Sequence, residues 1–143
     1  MNPTINYVFV PYSYTVSSAS INHGASNQQP LLLDQDADFE LHEIYGFTDA
    51  DAATDFRPNR FSVQITDKNN SRIWSSGQIS QITFCVPPLL LRRPVLLAKR
   101  SNLNFNFQNT TTATDNVIAT VTLHGYKVYI STAPMPAQMM PPA

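Results

Sequence analysis

At 143 residues the chain has the length of one domain with a substantial core, and a hydrophobic share of 43% is ordinary for a folded protein. Its charged share of 13% is well below the usual value of about 25%, and a formal net charge of −1 excludes the strongly basic footprint of a nucleic-acid binder. A lone Cys85 excludes an internal disulfide, and no apolar run reaches the roughly 18 residues of a membrane-spanning helix.

Met1 to Asn6 lacks the basic start and apolar middle of a signal peptide, so synthesis and folding in a reducing cytoplasm are expected. Ile5 to Val16 is rich in Tyr, Val and Phe but contains Pro11, which cannot donate to a ladder. That segment reads as an edge strand, a bulged strand or an extended arm. Ser17 to Gln29 is small and polar, and Leu31-Leu32-Leu33 leads into an acidic turn over residues 34–38. Phe39, Leu41, Glu43, Tyr45 and Phe47 then alternate with Glu40, His42, Ile44 and Gly46, predicting a strand with one buried face and His42 toward solvent.

Residues 49–55 offer the one candidate for a short helix. Phe61, Val63 and Ile65 predict a strand, and the run from Asp67 to Asn70 predicts a turn before Arg72-Ile73-Trp74. Further strands are predicted over 78–86, ending at Pro87-Pro88, and over 95–98, started by Pro94. Leu103, Phe105 and Phe107 alternate with Asn102, Asn104 and Asn106, a strong strand signal. Residues 109–115 form a polar loop, and 116–130 is the longest strand. Its apolar parity changes after Gly125, from Val117, Ala119, Val121 and Leu123 to Tyr126, Val128 and Ile130, which predicts a bulge there.

About eight strands separated by turns, with almost no helix, predict an all-β antiparallel sandwich. A jelly roll suits the strand count and long loops, with an immunoglobulin-like sandwich as the alternative. The expected organisation is an aromatic strand or arm over 1–16, a β-sandwich over 17–131 and a Pro/Met-rich flexible tail over 132–143.

Catalytic and metal chemistry find little footing in these residues. His23, His42 and His124 lie far apart with no ligand spacing. Asp34, Asp36 and Asp38 begin like a calcium loop, but Phe39 stands where such a loop needs glycine and Tyr45 where it needs glutamate. A solvated loop is the simpler reading; a looser calcium site shared with another chain is the alternative. Cys85, between Phe84 and Val86, reads as a small buried hydrophobe. The four glycines are isolated, so no phosphate-cradling loop is present, and no nucleophile elbow appears.

Adhesive features are more prominent. Tyr7, Phe9, Tyr12 and Tyr14 make the first segment either a core strand or an arm that adds to a neighbour's sheet. Arg92 and Arg93, with Lys99 and Arg100, bracket Val95-Leu96-Leu97; they either guard a strand edge or meet an acidic patch on another subunit. Met135, Met139 and Met140 give the proline-rich tail adaptable contact chemistry, unless it meets no partner and stays disordered. Trp74 is the sole tryptophan, either core or interface, or a stacking surface for sugar in a carbohydrate-binding module.

From Phe39 to Tyr129 the chain resembles small β-sandwich structural proteins of tailed bacteriophage virions. The resemblance is carried by Phe39-Glu40-Leu41-His42, Phe61-Ser62-Val63-Gln64-Ile65-Thr66-Asp67, Pro87-Pro88 and Pro94. Its most family-like part is Leu103-Asn104-Phe105-Asn106-Phe107-Gln108-Asn109 followed by Val121-Thr122-Leu123-His124-Gly125-Tyr126-Lys127. It implies a non-enzymatic minor capsid, cement (decoration) or neck component without cofactor, in the virion, assembled in the host cytoplasm. Implied partners are the major capsid protein, other virion subunits or further copies of itself, with neither nucleic acid nor membrane bound directly. A tail-fibre base component is the nearest variant of that reading.

Overall fold

The structure, a computed structural model, describes residues 5–48, 60–67, 72–73, 78–80, 88–111 and 116–131. These residues form nine strands: β1 (Asn6–Ser17), β2 (Ser26–Leu32), β3 (Asp38–Thr48), β4 (Phe61–Asp67), β5 (Arg72–Ile73), β6 (Ile79–Ser80), β7 (Leu89–Leu97), β8 (Asn102–Asn109) and β9 (Ala119–Ser131). The expectations for residues 49–55, Trp74, Cys85 and the Pro/Met tail, with Met135, Met139 and Met140, lie outside the described residues.

The strands make two antiparallel sheets, ordered β1-β9-β3-β7 and β2-β8-β4-β5, with β6 also pairing β4. The pairings nest: β1 with β9, β2 with β8, β3 with β7, and β4 with the short β5 and β6. Such nesting is one long antiparallel ribbon folded across itself, with successive rungs dealt alternately to the two sheets. It is the jelly-roll plan, with β5 and β6 together filling the place of one strand.

The core lies between the sheets. Phe39, Leu41, Ile44, Val121 and Leu123 of the first sheet are buried with Phe61, Val63, Ile65, Leu103, Phe105 and Phe107 of the second. In β8 each of Leu103, Phe105 and Phe107 is fully buried while the intervening asparagines are half-buried, so its strict alternation maps directly onto two faces. Tyr14 also belongs to this core, 6% exposed and edge-on to Phe39 at 5.0 Å.

Three local expectations are corrected. The polar stretch before Leu31 contributes β2, which begins at Ser26; hydrogen bonding to β8, rather than apolar content, makes it a strand. Pro94 sits inside β7 rather than starting it, at an irregularity where Leu41 pairs Val95 but Glu43 pairs Leu90. The bulge expected in β9 at Gly125 is in β3 instead. β1 and β9 stay in continuous register from Asn6↔Ser131 to Ser17↔Thr120, whereas the β3–β9 register shifts between Leu41 and Glu43, leaving His42 as the extra residue. Ile44 is therefore buried and Phe47 exposed, the reverse of what unbroken alternation from Phe39 predicts.

Candidate assembly surface

Because β9 keeps its register, every second residue from Val121 through Leu123 and Gly125 to Lys127 faces the second sheet. At its far end the inward position belongs to Lys127, with a side chain only 8% exposed. Its ammonium lies 2.9 Å from Asp34 Oδ2 and 3.1 Å from Asp36 Oδ1, and 4.0 Å from the centre of the Tyr12 ring. Tyr12 donates to Asp34, Tyr129 donates to Asp36 at 2.7 Å, and the Asp34 amide donates to the Tyr14 hydroxyl. The acidic turn that resembles a calcium loop thus spends two carboxylates on an ammonium. Among the described residues no group of three His, Cys, Asp or Glu side chains is placed to hold a metal.

The charges respond as this geometry requires. Hydrogen bonding from Lys127 draws the Asp34 carboxyl below its ordinary range, and hydrogen bonds from Tyr129 and then Lys127 do the same for Asp36. Burial works to lower the Lys127 value, but hydrogen bonds to Asp34 and Asp36 outweigh it and the net shift is upward. Burial raises Tyr14, and the bond to Asp36 raises Tyr129.

With Lys127 and Tyr129 turned inward, Tyr126, Val128 and Ile130 fall on the outer face. Residues paired in register share a face, so this surface can be read row by row. Tyr7 pairs Ile130; Phe9, Val128 and Asp38 form the next row; Pro11, Tyr126, Glu40 and Leu96 the next; Ser13, His124, Glu43 and Leu90 the fourth. Side-chain bonds confirm the rows: Ser13 Oγ to His124 Nδ1 at 2.6 Å, Thr15 to Thr122 at 3.1 Å and Ser17 to Thr120 at 3.0 Å. Tyr7 is 55% exposed, Phe9 53%, Leu96 57%, Ile130 60% and Leu90 70%. Large apolar side chains in such numbers on one sheet face mark a contact surface.

The opposite outer face, on β2-β8-β4, has another chemistry. Its rows are Ser26, Gln108, Ser62 and Ser80; Gln28, Asn106 and Gln64; Pro30, Asn104 and Thr66; Leu32 and Asn102. Apart from Pro30 and the exposed Leu32, those positions carry amides and hydroxyls, and none is charged.

No known protein family, curated protein or solved structure matches this chain. The surface itself must carry the functional reading.

The structure brings Tyr7 and Phe9 to the apolar face, sets Tyr12 at its inner edge over Lys127, and removes Tyr14 to the core. Arg92 and Arg93 are exposed on the edge strand β7, apart from Tyr7 and Phe9, with Lys99 and Arg100 in the turn beyond. There the Lys99 amide donates to Asp38 and the Arg100 guanidinium to Gln35. Sequence reasoning missed Leu90, Leu96, Tyr126 and Ile130 as surface residues, because a bulge in β9 would have turned the last two inward. It also kept His42 and His124 apart, although both line one shallow depression beside Ser13 and Tyr126. His42 there bonds Glu40 at 2.6 Å and meets the Tyr126 ring edge-on at 5.1 Å. The signal that could have found the pairing was Ile44, out of phase with Leu41 in an otherwise alternating strand.

Proposed function

We propose that this chain is a non-enzymatic structural subunit of a tailed-phage virion, binding across major capsid subunits to stabilise the head, and assembled in the host cytoplasm. The observation that carries this reading is the outer face of β1-β9-β3-β7. Its exposed Tyr7, Phe9, Leu96 and Ile130 have the size and apolar character of an interface centre, and lie beside His, Glu and Ser groups suited to a polar rim. A jelly roll whose two sheets pack on one shared core supplies the body for such contacts. The resemblance of residues 39–129 to virion sandwich proteins supplies the phage assignment.

Quantitative protein counting on purified particles tests it. Copies in the hundreds per particle are expected for a cement role, six or twelve would move the chain to the neck or tail-fibre base, and absence would reject a virion role. A second reading, a carbohydrate-binding sandwich, draws on the amide face, since amides hydrogen-bond sugar hydroxyls without charge. Glycan-array binding lost on Gln64→Ala would favour it over the virion reading.

A further inference from the structure

We infer that β1 is a self-pairing edge: two copies of this chain join through Tyr7–Phe9, antiparallel about a two-fold axis at Val8, merging their first sheets into one. This deepens the assembly reading by naming the partner of one part of the surface.

The first ground is how the described residues build this end of the first sheet. Asp38, the first residue of β3, pairs Val128, so, among the described residues, 129–131 of β9 have β1 as their one neighbouring strand. Asn6 to Val8 and their partners therefore form a two-stranded ribbon reaching past the rest of the sheet. Tyr7 and Phe9 are exposed on one side of β1 and Val10 on the other. A two-stranded apolar ribbon is marginal in water, and added strands are what stabilise it.

The second ground is the contrast among sheet edges. β7 is guarded by Arg92, Arg93 and Pro94 and by its irregular register; β2 contains Pro30; β5 is two residues long. β1 is twelve residues long, carries no charged side chain, and has one guard, Pro11, beyond the Tyr7–Phe9 stretch.

Charge and symmetry select the occupant. An added strand must be extended and free of unpaired charge, and β1 of another copy meets both conditions. The nearest cation on β9, Lys127, is neutralised by Asp34 and Asp36 on the inner side. Pairing about Val8 sets Tyr7 against the partner's Phe9 and Val8 against the partner's Val8, favourable cross-strand pairs. The contact is isologous, so it closes at two copies instead of propagating. Each outer face then continues into its twin.

The full-length chain tests this without a particle. Light scattering at about 100 μM should give twice the 16.0 kDa chain mass, the range where a modest edge contact is populated. Val8→Cys should cross-link under mild oxidation at least about tenfold more than Ser17→Cys, whose two copies would lie about 60 Å apart in this pairing. Val8→Lys, which sets two ammonium groups face to face, should return the protein to a folded monomer. A monomeric parent chain, equal cross-linking at residues 8 and 17, or a Val8→Lys dimer would each overturn the self-pairing. A monomer that is abundant on purified particles would overturn it while leaving the virion reading standing; a Val8-linked dimer absent from particles would support the pairing and reject that reading.

Discussion

A methyl group on Gly125 would overlap the carbonyl oxygen of Glu40, and it would sit 3.1 Å from the Leu41 Cα, where the bulge presses β3 onto β9. Both obstacles are backbone, so neither can step aside. Gly125→Ala should therefore cost at least about 2 kcal/mol in urea unfolding, in the range of overpacked positions. Gly24→Ala is a useful contrast, because nothing lies within 4 Å and only its φ of +73° is strained; a cost near 1 kcal/mol is expected there. Lys127 is the second decisive residue. Asp34 and Asp36 have depressed values in the folded chain, so their stabilising contribution is present above the ordinary carboxylate range and is lost as pH falls through the depressed values. Thermal midpoints of the parent and Lys127→Met should differ at pH 7 and converge at an acidic pH below the depressed carboxyl values. A gap of equal size at both pH values would show that the clamp contributes nothing electrostatic.

Along the strands, legibility followed how far local pattern controlled the outcome. β8 was readable because Leu103, Phe105 and Phe107 each meet the core and Asn102, Asn104 and Asn106 take the opposite face, with no irregularity between. Phe105→Ala should cost about 3–5 kcal/mol as a large-to-small core change, while Asn104→Ala should stay below about 1 kcal/mol; chemical denaturation of both variants checks the alternation. β2 was invisible because Ser26 to Gln29 owe their conformation to a partner some 80 residues away in sequence. The bulge was legible but misplaced. An apolar parity change in β9 looked like an inserted residue, yet the inward positions had passed to Lys127 and Tyr129, whose partners lie in the 34–38 turn. A polar residue at an inward position is ambiguous until its counter-charge is located, and that is a fact of tertiary structure. The candidate surface depended on the same ambiguity, so Tyr7 and Phe9 were anticipated whereas Tyr126, Ile130, Leu90 and Leu96 were not.

For the whole molecule, the jelly roll gives two outer faces of opposite character on one stiff core: apolar with histidine and carboxylate on β1-β9-β3-β7, uncharged amide on β2-β8-β4. A low overall charge suits a subunit held by shape and apolar contact more than by long-range steering. The proposed virion role requires particle binding through the apolar face, and paired substitutions test that most directly. Copies per purified particle should be counted for the parent chain, for Leu96→Asp with Ile130→Asp, and for Asn104→Asp with Gln64→Glu on the opposite face. All three proteins should keep their folded circular dichroism, since every altered side chain lies on an outer face. The first pair of substitutions should reduce incorporation at least about tenfold, as loss of interface anchors does, and the second should leave it near the parent level. Undiminished incorporation of Leu96→Asp with Ile130→Asp, or an equal loss from both faces, would contradict that role.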